Sequence, residues 1–218
     1  MIKAVVFDFD GLIVDTETLW FEAYQHILSE KFRCNVTVER FAVCIGTDDH
    51  AFFESVENEL GTKLDWDPIR KKASEYMKMK LQQPVLREGV AEYLQDAQDF
   101  GLRIALATSS TRAWVETLLE QTGIRDYFEV LRTRDDVANV KPDPELYVTA
   151  VEQLEVEPDQ ALAFEDSLNG LNAAVSAGLH TVVVPNSVTC HLPFEHYSLR
   201  LSSMKDMPLR EVLAQLVG

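Results

Sequence analysis

The chain has 218 residues, enough for one domain of ordinary size or for a core domain carrying a smaller insertion. Hydrophobic residues at 46% and charged residues at 26% suit a globular fold with a substantial core. A formal net charge of −16 excludes a basic surface that tracks nucleic-acid phosphates, and no apolar run approaches the ~20 residues of a membrane-crossing helix.

With that charge, a phosphorylated ligand gains no long-range attraction from the protein as a whole. Any phosphate site must be locally positive, through a lysine, a metal or backbone N–H groups. The first element, Ala4-Val5-Val6-Phe7, is apolar on consecutive positions, as expected of a strand buried on both faces of a parallel sheet. Met1-Ile2-Lys3 runs directly into it with no leader pattern.

From about 15 to 82 the pattern is helical. Trp20, Phe21, Tyr24, Ile27 and Leu28 form one stripe, Phe52, Val56 and Leu60 a second, and Ile69, Ala73, Tyr76, Met77 and Leu81 a third. The spacing predicts a helical bundle inserted after the first strand, with Pro84 marking the return crossing. Strand and helix then alternate. Ile104–Ala107 reads as a strand, followed by a helix carrying Trp114, Val115, Leu118 and Leu119 and stopped at Gly123. Val130-Leu131 is a weaker strand. Asp143-Pro144 predicts an N-cap and a first-turn proline ahead of Leu146, Tyr147, Ala150, Val151 and Leu154. Ala161–Phe164 is a further strand, Leu168, Leu171 and Val175 a helical stripe before Gly178, and Thr181–Val184 a last strand. The alternation predicts an α/β fold, a doubly wound, Rossmann-like parallel sheet over 1–14 and 83–218, with an inserted helical domain over 15–82. Cys34, Cys44 and Cys190 show no metal or redox spacing, so free thiols and a cytoplasmic location are expected.

In an open parallel sheet, ligands bind beyond the carboxyl ends of the strands. Asp8-Phe9-Asp10-Gly11 follows the first strand, Thr108-Ser109-Ser110 the second and Glu165-Asp166-Ser167 the fourth, while Lys141 precedes the Asp143-capped helix. Each group alone reads equally as a turn, a helix cap or a surface residue. Together they deliver four carboxylates, a hydroxyl and an ammonium to one sheet edge. Such carboxylates repel, and a hard divalent cation such as Mg²⁺ removes the conflict by taking one or two of them plus phosphate oxygens. A carboxylate can attack phosphorus to give an acyl phosphate. Asp10 is placed to protonate the leaving alcohol and then to deprotonate water. The threonine hydroxyl and the lysine would offset charge on the transferring phosphoryl group.

The segment Val5-Val6-Phe7-Asp8-Phe9-Asp10-Gly11-Leu12-Ile13-Val14-Asp15-Thr16-Glu17 resembles the first motif of the haloacid dehalogenase-like superfamily. Ala107-Thr108-Ser109 resembles the second, Lys141-Pro142-Asp143-Pro144 the third, and Phe164-Glu165-Asp166-Ser167 with Gly170 and Ala173-Ala174 the fourth. The subgroup is similar to that of β-phosphoglucomutase and phosphoglycolate phosphatase, with an α-helical cap after the first motif. The resemblance implies that Asp8 is the nucleophile and a Mg²⁺ ligand. It implies that Asp10 is the general acid/base and lends its carbonyl to the metal, that Thr108, Ser109 and Lys141 bind phosphate, and that Asp166, with Glu165 directly or through water, completes the metal site. Thr16 and Pro84 would lie near the cap hinges. The superfamily's dehalogenases lack the second aspartate, so Asp10 points to phosphoryl transfer.

A phosphatase acting on a small phosphorylated metabolite, with a sugar phosphate as the leading candidate, is the reading that follows. The alternatives are a phosphomutase and a non-catalytic binder of a phosphorylated metabolite. Against the mutase, its cap histidine aligns with Trp20, and its second-phosphate arginine aligns with Asp49. Trp20, Tyr24, Asp48, Asp49 and His50 are candidates for substrate selection, although Trp20 and Tyr24 read equally as bundle core and His50 as surface. No nucleic-acid or membrane partner is expected, and a monomer is the default.

Overall fold

The computed structural model describes residues 1–216. Its elements in chain order begin with β1 (Ala4–Phe7) and four helices, α1 (Thr16–Phe32), α2 (Val38–Phe41), α3 (His50–Leu60) and α4 (Trp66–Lys80). Then come α5 (Val90–Asp99), β2 (Arg103–Ala107), α6 (Arg112–Thr122), β3 (Val130–Arg132), α7 (Glu145–Gln153), β4 (Ala161–Glu165), α8 (Leu168–Ser176), β5 (His180–Val183), β6 (Leu199–Arg200) and α9 (Leu209–Leu216). The strands form one parallel sheet in the order β3-β2-β1-β4-β5-β6. None of the described helices is long and apolar enough to cross a membrane.

The two faces of the sheet differ in side-chain size, and this sets how closely the helices approach. Val5, Phe7, Ile104, Leu106, Leu162, Phe164 and Val182 point to one face, where α5, α6 and α9 add Val90, Leu94, Val115, Leu119 and Val212. The other face carries Ala4, Val6, Ala105, Ala107, Ala161 and Ala163, and α7 and α8 pack onto it through Leu146, Tyr147, Ala150, Ala173 and Ala174. A sheet face of alanines lets helix backbones come close. It accounts for the burial of small residues in α8, where the apolar stripe read from the sequence misplaces Val175, which is 38% exposed.

Residues of α1, α2, α3 and α4 form a separate apolar cluster around Ala23, Tyr24, Leu28, Phe41, Phe52, Phe53, Val56, Ile69 and Ala73. The two chain crossings between this helical segment and the sheet lie side by side. Val14 bridges Leu86 antiparallel, and the Arg87 N–H donates to Ile13 O at 2.9 Å.

Two local features depart from the sequence expectations. The α7 cap is shifted by one residue: Pro144 occupies the N-cap position, and the Asp143 carboxylate accepts from the Glu145 N–H at 3.0 Å. The edge strand β6 is two residues long, too short to produce a periodic pattern.

Candidate active site

The register of the three central strands aligns the motif residues. Phe7 sits opposite Leu106 on β2 and Phe164 on β4, so the residues just past these partners emerge at the same sheet edge. Asp8 leaves β1 there, Thr108 leaves β2, and Glu165 closes β4. Asp8, Thr108, Lys141, Glu165 and Asp166 are all buried.

Lys141 holds the centre. Its ammonium donates to Asp8 Oδ1 at 2.5 Å and to Glu165 Oε1 at 2.6 Å. Burial alone works against the ammonium, but the two carboxylates outweigh it and hold the Lys141 pKa above its ordinary value. Tyr147 OH also donates to Glu165 Oε1, while Glu165 Oε2 accepts from the N–H groups of Asp166 and Ser167 and from Ser167 Oγ. Both oxygens of Glu165 are thus occupied by protein donors. Its carboxylate also lies against Gly170, where an added Cβ would sit 1.9 Å from Oε1. The glycine is needed for that close approach.

Asp8, Glu165 and Asp166 each offer a carboxylate oxygen within 4.8 Å of one another. Burial, together with Glu165 and Asp10 and against the pull of Lys141, pushes the Asp8 carboxyl up to about 8. Burial, and then Asp8 and Glu165, also push Asp166 well above the usual carboxylate range. Three buried carboxylates around one ammonium leave an excess of negative charge. An all-oxygen donor set of this kind fits a hard divalent cation, and Asp8 and Asp166 are its freer ligands because Glu165 is fully engaged.

The Asp10 carboxylate is fixed by three donors. Thr16 Oγ1 and Trp114 Nε1 donate to Oδ1 at 2.8 and 2.9 Å, and Ser110 Oγ donates to Oδ2 at 2.6 Å. Ser109 Oγ does not point to the carboxylates; it donates to Gly46 O in the helical segment at 2.9 Å. A phosphate contact from Ser109 would therefore come through its backbone N–H.

Above these groups lies a cavity of about 520 Å³ between the strand ends and the helical segment. Asp8, Asp10, Thr108 and Ser109 line its floor, whereas Lys141, Glu165 and Asp166 lie beneath it. Trp20, Tyr24, Asp48 and Asp49 line its walls; His50 is exposed and is not among the lining residues. Trp20 and Tyr24 belong to the apolar cluster and also face the cavity.

Several lining groups go beyond the sequence reading. Glu17 stands in the first turn of α1, pushed well above its ordinary pKa by burial and by Asp10, Asp166 and Asp8. Arg70 from α4 and Arg134, just past β3, place two guanidinium groups at the mouth. Burial raises the Asp49 pKa between them, against their attraction. The strand-end rule, extended to β3 and β5, reaches Arg134 and also Asn186, whose side chain touches Asp166. Trp114 carries a different signal. An indole within an apolar stripe still has an N–H that needs a partner.

The family described as haloacid dehalogenase-like hydrolase matches residues 5–184. The chain is 45% identical over 217 residues to the protein named "Putative phosphatase YhcW" of Bacillus subtilis (strain 168), covering 99% of this chain and 98% of that one. It is 33% identical over 182 residues to a phosphorylated carbohydrates phosphatase of Thermotoga maritima, covering 83% of each. Among solved structures, CbbY from Rhodobacter sphaeroides in complex with xylulose-(1,5)bisphosphate superposes with a TM-score of 0.77 at 30% identity, covering 94% of this chain and 96% of that one.

Proposed function

The chain belongs to the haloacid dehalogenase-like hydrolases and is a phosphatase, and from that premise we propose that it cleaves a small sugar phosphate through an aspartyl-phosphate on Asp8, with Mg²⁺ as its cofactor. The observation that carries the reading is the convergence of three adjacent strand ends, bearing Asp8, Thr108 and Glu165-Asp166, with one buried lysine joining Asp8 to Glu165 beneath the cavity.

In this reading Asp8 attacks phosphorus with the oxygen that Lys141 does not hold. Asp10, oriented by Thr16, Ser110 and Trp114, gives its proton to the leaving alcohol. Asp10 then takes a proton from the water that attacks the phosphorus of the aspartyl phosphate, which returns Asp8 as a carboxylate. The Thr108 hydroxyl and the Ser109 N–H hold the phosphoryl oxygens, and Lys141 offsets the charge that builds on them. Asp8 and Asp166, with the Asp10 carbonyl and with Glu165 assisting through water, are the groups that would hold Mg²⁺. When bound, the ion would neutralise this cluster and draw a phosphate oxygen towards Asp8. We take 15–82 as the cap whose closure excludes bulk water, and 1–14 with 83–218 as the core. Free thiols at Cys34, Cys44 and Cys190 suit the reducing cytoplasm, and a monomer is the working oligomeric state.

Phosphate release from an aryl phosphate and a sugar-phosphate panel, measured with Mg²⁺, with chelator and with Asp8→Asn, tests this reading. Magnesium-dependent release that is lost in the variant is expected. A folded wild-type protein that releases nothing from the panel would overturn it.

A mutase reading keeps one supporting observation. Asp49 stands where the mutase has an arginine, but Arg70 and Arg134 bring positive charge to the same cavity from other elements. Migration of phosphate on β-glucose 1-phosphate primed with a bisphosphate would separate the two reactions.

A further inference from the structure

The loop leaving β5 connects Asp166 to the helical segment through one side chain. Asn186 is 5% exposed. Its Nδ2 donates to Asp166 Oδ2 at 2.7 Å and to Gly11 O at 3.3 Å. Its Oδ1 accepts from the N–H groups of Val188 and Thr189 at 2.9 and 3.1 Å and from Thr189 Oγ1 at 3.3 Å. The Asn186 backbone N–H donates in turn to Thr189 Oγ1 at 3.0 Å. A primary amide has two donors and two acceptor lone pairs. Here the donors face the carboxylate and the first-motif turn, and the acceptor side organises the turn 186–189.

That turn belongs to the sheet by sequence but reaches into the helical segment. Ser187 Oγ lies 2.9 Å from Thr18 Oγ1 of α1, which also donates to Asp15 Oδ2 at 3.0 Å. Val188, 1% exposed, is buried in the apolar cluster of Ala23, Tyr24 and Leu28, and Leu192 packs against the same cluster. The chain of contacts runs from the helices through Ser187 and Val188 to Asn186, and from Asn186 to Asp166.

We infer that Asn186 is a positioning residue that couples the seating of the helical segment to the orientation of the Asp166 carboxylate, and so to cation affinity. The inference rests on reading Asp166 as a metal ligand. A carboxylate turns broadly about its terminal torsion. Holding Oδ2 on the Asn186 amide leaves Oδ1 available to a cation. Partners that orient a ligand in this way typically change metal affinity 10–100-fold when removed. When the helical segment leaves its seat, Ser187 and Val188 lose their partners and the turn that fixes Asn186 loosens. The metal is then held most tightly in the seated form, where the reaction takes place.

Calorimetric titration of the metal-free full chain with Mg²⁺ tests this, with circular dichroism and thermal unfolding to verify the fold. Asn186→Leu keeps roughly the volume and adds no charge, but removes the donor facing Asp166 and the acceptor that organises the turn. It should weaken Mg²⁺ binding by about 10–100-fold. Val188→Ala and Ser187→Ala touch no atom of Asp166, yet each should weaken Mg²⁺ by about threefold, a smaller effect carried through the turn. A folded Asn186→Leu protein binding Mg²⁺ within twofold of wild type would overturn the positioning role. If Val188→Ala and Ser187→Ala lower Tm or raise KM while the Mg²⁺ constant stays unchanged, the coupling is overturned. They also decide the matter if Asn186→Leu fails to fold. Asp166→Asn is the control: if it binds Mg²⁺ as wild type does, or if wild type binds none, the metal reading itself fails and takes the inference with it.

Discussion

The floor and the mouth of the cavity are built on opposite principles. At and just beneath the floor, Asp8, Lys141, Glu165 and Asp166 are buried, and each side chain is committed to partners at 2.5–2.7 Å. On the walls and at the mouth, Asp48, Asp49, Arg70 and Arg134 come from a loop, a helix and a short turn of different parts of the chain, and Asp48, Arg70 and Arg134 are exposed. Charge held in low dielectric is expensive to rearrange and strong in its effect; charge at an exposed lip is cheap to change and screened by salt. The floor is therefore suited to fixed chemistry, and the mouth to adjustable choice of substrate.

Mutations should expose the contrast, and the largest effect belongs to the floor. Asp8→Asn should cut phosphate release by at least about 10,000-fold with no loss of folded structure, measured as single-turnover phosphate release. Asp10→Asn should follow at about 100- to 10,000-fold, because the three donors around it then hold a group that cannot shuttle a proton. Lys141→Met should act on stability as well as rate. Two buried carboxylates would lose their shared cation, at a cost of about 3–5 kcal/mol, lowering Tm by about 10 °C. Added Mg²⁺ should restore part of that loss in a thermal-unfolding scan. If Lys141→Met melts like wild type, the floor is not electrostatically coupled as described.

The mouth should answer differently. Arg134→Ala should raise KM by about tenfold for a substrate with a second anionic group and leave kcat within about twofold, whereas an aryl phosphate should register no change. An equal fall in kcat for both substrates would place Arg134 with the chemistry and erase the distinction drawn between floor and mouth.

The smallest effect lies away from the cavity, within the helices. Glu57 accepts from Lys63 Nζ, the Leu64 N–H and Trp66 Nε1, and the Leu64 N–H first, then Lys63, hold its carboxyl down to about 2. Its folded pKa lies below the ordinary 4.5, so its contribution is complete above about 4.5 and is lost as pH falls through about 2. Glu57→Gln should therefore lower Tm slightly at pH 7, and the gap should close in acid. A gap that persists at pH 2 would mean that the loop is held by packing instead.

Much of the floor was legible because its residues follow buried strands. A run such as Ala161–Phe164 can be read without knowing its neighbours, and in a parallel sheet the residues after it must meet those after the adjoining strands. Asp8, Thr108 and Asp166 were found in this way. Glu165 was legible as a carboxylate at the site, but its saturation by Lys141, Tyr147 and Ser167 was not, because those partners are 24, 18 and 2 residues away. The same limit hid the partners of Asp10, one of which, Trp114, is 104 residues distant.

The sequence by itself determined the buried strands, the helical stripes between them and the order of the chemical groups along the chain, since hydrophobic periodicity and turn residues act locally. The tertiary structure alone decided the direction of Ser109 towards the helices, the reach of Asn186 to Asp166 and the meeting of Arg70 with Arg134 at one mouth. These contacts depend on how the helical segment packs over the sheet edge. That packing is set by side chains such as Val188 and Tyr24 meeting across distant parts of the chain, and no local pattern encodes it.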